Sequence, residues 1–449
     1  MSSYVAAEMV ETPWGIAEEL RSRRLRPGPG ATREAVARNQ RERLFGAMVA
    51  STATKGYRGT TVADLISLAG VSRSSFYEHF EDKGDCFRAV IEALMEAGLA
   101  LLRSQLDGPG NPKERGERAL RSFLRLASGQ PAAARVGLVD AYSAGAAGLE
   151  PINKAFEDAC CLAHDALRML PGKGSTPEEL SRAVIGGLHR VIYIHLYRGE
   201  GEELLRRCTD LWEWASGYEP PRGLPAGRRT RRPVERQDFA GRDQHEQIIR
   251  GFSRAVAARG FSGVTLPQIA AETGISNATF YQHFENKNDA FLAALDLSGA
   301  QLIAATLPAA RREREWPAAL HRALEGLCRF LVTEPAFATL RAVEVYTAGP
   351  EALAHRDLAW ETIIEELIPE EVRTASDANR TALEASTGGV YALLYEKVRK
   401  KELEKLQELV PMLSYLVVAP LIGGDAATEA IAGTGAAPQS VHQLAERHF

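Results

Sequence analysis

Residues 70–87 read GVSRSSFYEHFEDKGDCF, and residues 274–291 read GISNATFYQHFENKNDAF. A polar-aromatic run that returns after 204 residues constrains the chain more than any other feature, because a repeat sets the size of the folding unit before any fold is considered. The match is much longer than this run. Residues 44–80 align without a gap to 248–284, pairing Gly56 with Gly260, Tyr57 with Phe261 and Thr61 with Thr265. At the same offset QPAAARVGLVDAYSAG (130–145) meets EPAFATLRAVEVYTAG (334–349), and at an offset of 202 GGLHRVIYIHLYRGE (186–200) meets GGVYALLYEKVRKKE (388–402). The 449 residues are thus two units of about 200 residues each, with a first boundary at the stretch GYEPPRGLPAGRRTRRPVERQ (217–237). That stretch is rich in Pro, Gly and Arg and lacks helical apolar spacing, so it reads as an exposed linker.

Outside the linker, apolar residues recur every three to four positions, as at Leu44, Ala47, Met48 and Ser51, or at Ile248, Gly251, Phe252 and Ala255. Alternating β-branched runs are scarce, which predicts an all-α protein. The apolar stretch 413–424 is read as too short to cross a bilayer, and the five cysteines, odd in number, fit a reducing, cytoplasmic setting. A net charge of −4 does not exclude nucleic acid, since phosphates respond to local clusters of charge. Clusters do exist: RSRRLRPGPGATR (21–33) precedes the first motif and RGLPAGRRTRRPVER (222–236) the second.

The motif itself spells two short helices and a turn. Thr61 is placed to cap a helix with Val62, Leu65, Ile66 and Ala69 on one stripe; Gly70 supplies a left-handed turn; Ser72 caps a second helix whose Phe76 and Phe80 face inward. The second unit repeats this with Thr265, Leu266, Ile269, Ala270, Thr273, Gly274, Ser276, Phe280 and Phe284. Two short helices joined by a glycine turn make a helix-turn-helix.

The pattern Gly-Val/Ile-Ser-x-x-x-Phe-Tyr-x-His-Phe-x-x-Lys, after a Thr-led helix and a Gly-Tyr/Phe pair, resembles the TetR/AcrR family of transcriptional regulators, and its double occurrence resembles a tandem fusion of two such units. The resemblance implies two tandem units, each an N-terminal three-helix DNA-binding domain followed by a helical ligand and dimerisation domain. The boundaries expected are a basic arm at 1–35, DNA-binding domains at 36–84 and 239–288, ligand domains at 85–216 and 289–422, a linker at 217–238 and a flexible tail at 423–449. Double-stranded operator DNA and a small-molecule effector are the partners implied.

Base-reading positions are Arg73, Ser74 and Ser75 in the first unit and Asn277, Ala278 and Thr279 in the second. Arginine suits guanine, asparagine adenine, and alanine or a threonine methyl the thymine methyl. The resemblance implies backbone contacts at Thr61, Tyr77, His79 and Lys83 and at Thr265, Tyr281, His283 and Lys287, with the capping Ser72 and Ser276 as further DNA-binding candidates. Flexible arms bearing Arg24 and Arg26, and Arg228 and Arg229, are expected to follow phosphates or enter the minor groove. With roughly four phosphates per unit, log K should fall against log salt with a slope of about −7. Polar groups in apolar helical surroundings, Asp140, Tyr142, His189 and Tyr193 in the first unit and Glu344, Tyr346, Tyr391 and Tyr395 in the second, are effector candidates, though a satisfied core hydrogen bond competes for each.

No phosphate loop, nucleophile elbow or His-Glu-x-x-His is present, so no catalytic residue is assigned. Cys160, Cys161 and His164 lie close in sequence, but adjacent cysteines project in different directions, so neither metal nor cofactor is expected. The regions near 177–216 and 374–420 are expected to pack within one chain, making a single-chain pseudo-dimer with no membrane partner, which represses from an operator of two unlike half-sites. The alternatives are a second unit that only partners and binds ligand, with the chain pairing as a homodimer, and a helical ligand-binding scaffold without DNA function.

Overall fold

The computed structural model describes residues 10–25, 32–227 and 244–434, and they are almost entirely helical, as the periodicity predicts. Among the described residues the β-structure is a two-stranded antiparallel hairpin, β1 (Glu11–Thr12) with β2 (Gly15–Ile16). The helices of the first repeat are α1 (Arg33–Gly59), α2 (Val62–Ala69), α3 (Arg73–His79), α4 (Lys83–Leu106), α5 (Pro112–Gly129), α6 (Pro131–Leu138), α7 (Ala146–Arg168), α8 (Glu178–Arg198), α9 (Gly201–Arg206) and α10 (Cys208–Gly217). Those of the second are α11 (Gln244–Arg259), α12 (Leu266–Thr273), α13 (Asn277–His283), α14 (Lys287–Ala310), α15 (Trp316–Thr333), α16 (Pro335–Thr339), α17 (Val345–Ala348), α18 (Pro350–Leu367), α19 (Glu370–Arg373), α20 (Asp377–Arg399), α21 (Val410–Ile422) and α22 (Gly424–Gly433). A π-helical turn, Leu340–Glu344, joins α16 to α17.

By packing, the chain divides into two compact units: Met1–Gly174 with Leu188–Trp212, and Ser175–Gly187 with Glu213–Phe449. In the first, α1 buries the stripe Leu44, Ala47, Met48 and Ser51, and α4 lies between α5 and α7. Of the arm expected at 1–35, residues 10–25 fold onto α1. Leu20 is fully buried against Gly46, the Trp14 ring meets Phe45 edge-on at 5.1 Å, and the Asn39 amide bonds Leu25 N–H at 3.0 Å and Arg23 C=O at 3.1 Å. Leu20 and Trp14 have apolar area to bury, worth about 1.5–3 kcal/mol for a leucine alone. Arg24 is exposed, whereas Arg26, Arg228 and Arg229 lie outside the described residues.

In the second unit, α11 buries Ile248, Gly251, Phe252 and Ala255; α14 packs on α15 and α18, and α15 packs on α21. The apolar stretch read as too short to span a bilayer belongs to a longer helical run, Leu403–Ile422, which like α14 has the length and composition of a membrane span. About half or more of each is covered by neighbouring helices, as in the core of a helical domain.

Ser175–Gly187, the start of α8, packs with second-repeat helices. Arg182 Nε lies 3.0 Å from Glu396 Oε2 on α20. A Cβ on Gly186 would come within 2.9 Å of the Gly388 carbonyl oxygen, and one on Gly389 within 2.9 Å of that of Ala183, so the two Gly-Gly pairs let the helix backbones approach. The stretch assigned as an exposed linker at 217–238 is partly docked: Tyr218 Oη donates to the Leu416 carbonyl at 2.7 Å and Tyr415 Oη to the Glu219 carbonyl at 2.8 Å, next to Trp214 of α10, whose Nε1 donates to Ser386 Oγ at 3.2 Å. Tyr218 is buried, and it explains the departure: one large aromatic outweighs a Pro- and Gly-rich context.

Candidate nucleic-acid interface and effector region

Each helix-turn-helix is built from its caps outward. Thr61 and Asp64 form a reciprocal capping box on α2, and Lys55 Nζ sits 2.6 Å from Asp64 Oδ1. The hydrogen bond from Lys55, with those from Thr61, holds the Asp64 carboxyl at about 2. On α12 the corresponding acceptor is neutral: Gln268 Oε1 takes the Thr265 N–H at 2.9 Å. Both helices end on glycines in the left-handed region, Gly70 (φ 61°) and Gly274 (φ 71°), where a side chain would add strain. Ser72 and Ser276 cap α3 and α13 through the amides of Ser75 and Thr279, each at 3.0 Å. Phe76, Phe80, Phe280 and Phe284 are buried as expected, and seat both second helices.

The outward faces hold Ser72, Arg73, Ser74 and Tyr77 in one head and Ser276, Asn277, Ala278 and Tyr281 in the other, all exposed. Tyr77 and Tyr281 are 51% and 55% exposed while their rings meet Phe76 and Phe280 edge-on, so each phenol stands on a rigid base. Thr61 and Thr265 are exposed at the starts of α2 and α12. Ser75 and Thr279 are half-buried with hydroxyls 2.9 Å from the capping serines, so both hydroxyls take part in the caps. His79 and His283 are half-buried too: His79 Nε2 is 3.0 Å from Gln40 Oε1, and burial lowers its pKa, while His283 lies 5.6 Å from the His245 ring.

Lys83 and Lys287, expected at the DNA backbone, each bond two backbone carbonyls of their own unit. Lys83 Nζ donates to the carbonyls of Tyr57 and Thr60 at 2.9 Å each, 4.3 Å from the Tyr57 ring centre; Lys287 Nζ donates to Phe261 at 3.0 Å and Val264 at 2.9 Å. Two donors of each ammonium are spent on the corner where α1 or α11 ends, so the lysine fastens the first helix of each repeat to the fourth, α4 or α14. The only sequence signal was the repeated pairing of Gly-Tyr/Phe with a lysine 26 residues later.

In the first unit three of the four effector candidates converge. Tyr142 Oη meets His189 Nε2 at 3.1 Å, both rings lie about 6 Å from Tyr193, and Phe156 closes on His189 at 6.4 Å. Burial pushes His189 down to about 4, so it is neutral at pH 7. Asp140 instead faces Arg135, with Oδ2 3.5 Å from Nε, and burial lifts it to about 6. In the second unit Tyr346 meets Tyr395 edge-on at 5.9 Å, and Tyr391 lies under Arg356, whose guanidinium carbon is 3.8 Å from the ring centre. Glu344 leaves this group to accept the Phe261 N–H at 2.8 Å. Sequence reasoning missed Arg341 and Arg356, both buried; the available signal was an arginine where the first repeat has Gly137 and Ile152.

Two segments, residues 47–90 and 248–294, match the family model described as bacterial regulatory proteins, tetR family. Residues of this chain are 36% identical over 59 positions to the uncharacterized HTH-type transcriptional regulator YezE of Bacillus subtilis (strain 168), covering 13% of this chain and 30% of YezE. They are 39% identical over 54 positions to YerO of the same organism, covering 12% of this chain and 19% of YerO. The matches thus span less than a third of either relative. Among solved structures, FadR from Bacillus subtilis in complex with stearoyl-CoA aligns at 17% identity and a TM-score of 0.36, over 39% of this chain and 96% of FadR. A gamma-butyrolactone receptor (ArpA-like protein) aligns at 19% identity and a TM-score of 0.30, over 39% of this chain and 96% of the receptor.

Proposed function

We propose that this tandem TetR-like chain is a ligand-responsive transcriptional repressor that grips one DNA site with both of its helix-turn-helix segments. The observation that carries the reading is the pair of exposed tyrosines, Tyr77 and Tyr281, each rigidly based and each beside an exposed recognition face. Phosphates would be met by Tyr77, Thr61 and the exposed caps in one head, and by Tyr281, Thr265 and their neighbours in the other. Because Arg73-Ser74 and Asn277-Ala278 offer different groups to base edges, the two half-sites differ in sequence.

A single chain acting as a pseudo-dimer is supported by the start of α8 packing on α20 across two Gly-Gly pairs, where family dimers would bring two chains together. The tether makes this pairing intramolecular, at an effective concentration around millimolar. Effector binding in the helical region would change the separation of the heads by as much as its differential affinity for the two states allows. Selection of bound sequences from a random duplex pool, followed by sedimentation of the complex, tests the reading. One chain on a two-part asymmetric site is expected; two chains on a palindrome would overturn the pseudo-dimer.

A second reading keeps DNA binding in the first head alone. It is favoured by α12 and α13 carrying no Lys or Arg, and under it Tyr281→Ala leaves DNA affinity unchanged.

A further inference from the structure

Two guanidinium groups and one carboxylate lie together inside the second unit. Arg356 on α18 is 2% exposed; its Nε and Nη2 each lie 2.8 Å from Asp357 Oδ1, and its flat face covers Tyr391. Arg341, on the π-helical turn, is 5% exposed and spends its donors on the carbonyls of Leu295 and Arg356 and on Ser298 Oγ, at 2.9–3.1 Å. Asp296 stands nearer solvent and is engaged by His355 Nδ1 at 2.8 Å. The buried set therefore carries an excess positive charge. Among the described residues, Arg356 Nη1 is buried with no hydrogen-bond partner.

A buried charged donor left unmade costs more than a neutral one, and a buried cation without a full counter-charge costs more again. Burial lowers Arg341 to about 10, which leaves it charged at neutral pH. The rings of Tyr346, Tyr391 and Tyr395 flank this group, and π-helical turns recur where helices serve function. Among the described residues of the first unit, Gly137 and Ile152 stand at the aligned positions, with a neutral Tyr142–His189 pair and a single guanidinium, Arg135, facing Asp140.

We propose that the second unit binds a carboxylate-bearing ligand with an apolar or aromatic body, its carboxylate oxygen accepting from Arg356 Nη1 and its body lying on the tyrosine rings. The site is one of the two effector regions of the proposed regulator, and the inference rests on that reading only for its consequence at DNA, not for binding itself.

Calorimetric titration of the full chain with octanoate, octan-1-ol and octylamine tests it. Octanoate is expected to bind, with the alcohol and the amine about tenfold weaker or more, as loss of one charge-assisted hydrogen bond implies. Arg356→Lys, which keeps a buried cation over Tyr391 but not the Nη1 geometry, should weaken octanoate about tenfold, and Tyr142→Phe should leave it unchanged. Equal affinity for octanoate and octanol, no heat with octanoate, or undiminished binding by Arg356→Lys would overturn the proposal; the first two outcomes need no variant and would leave Nη1 to an enclosed water. Octanoate that binds through Arg356 without moving DNA affinity would leave this inference standing and remove effector control from the proposed function.

Discussion

The Glu344 carboxylate accepts a 2.8 Å hydrogen bond from the Phe261 backbone N–H, at the corner where α11 ends. The same Phe261 offers its carbonyl to Lys287 Nζ at the start of α14, and Glu344 closes the π-helical turn that carries Arg341. One side chain thus ties the second helix-turn-helix unit to the turn that holds Arg341, one of the two buried guanidinium groups. In the first unit the aligned Asp140 faces Arg135 instead, so the two heads are fastened differently. Glu344→Ala should leave octanoate affinity within about twofold and reduce the octanoate-induced change in DNA affinity by about fivefold or more, whereas Glu344→Gln, which keeps an acceptor, should retain it. Titration of DNA affinity with and without octanoate measures both.

Tyr77→Ala and Tyr281→Ala should each weaken DNA binding by about fivefold, the loss of roughly one hydrogen bond to phosphate, without changing the preferred sequence. With Lys83 and Lys287 spent on carbonyls, the count falls to roughly three phosphates per head, and the slope of log K against log salt should be about −5 rather than −7. Fluorescence anisotropy across a salt series reads both quantities.

Arg73→Ala should relax the preference at one base pair of one half-site, by about 1–3 kcal/mol, and leave the other half-site untouched. Exchanging residues 73–75 with 277–279 should reverse the orientation of the selected site. A selected sequence that stays the same after the exchange would show that these side chains do not read bases.

Gly186→Val places a branched side chain where even a Cβ crowds the Gly388 carbonyl, so it should destabilise the second unit by about 1–3 kcal/mol. Gly172→Ala has open space around its Cβ but a positive φ of 77°, and its smaller cost, from strain alone, makes it the control. Thermal unfolding separates the two.

Burial shifts two groups of the first unit in opposite senses. His189, lowered from 6.5 to about 4, is neutral when folded, so its contribution is present above 6.5 and is lost as pH falls toward 4. Asp140, raised from 3.8 to about 6, keeps its proton to higher pH when folded, so its contribution is present below 3.8 and is lost as pH rises through 6. His189→Phe should therefore flatten the acid-side loss of stability, and Asp140→Asn should remove the loss between pH 4 and 6; denaturant titrations at several pH values check each sign.

Residue order alone determined the tandem repeat, the helical class, the caps at Thr61, Ser72, Thr265 and Ser276, the turns at Gly70 and Gly274, and the inward phenylalanines, because each depends on neighbours within about one helical turn. The exposed recognition positions were legible for the same reason. What tertiary structure decided is where long side chains end. Lys83 and Lys287 turned to carbonyls 23 and 26 residues back, residues 10–25 folded onto α1, Tyr218 anchored a stretch that reads as linker, and Glu344 reached Phe261 across 83 positions. An arginine reads as a surface residue in any sequence, since its charge favours water; only the packing of α14, α18 and α20 around Arg356 turns that preference into an unmet need for an anion.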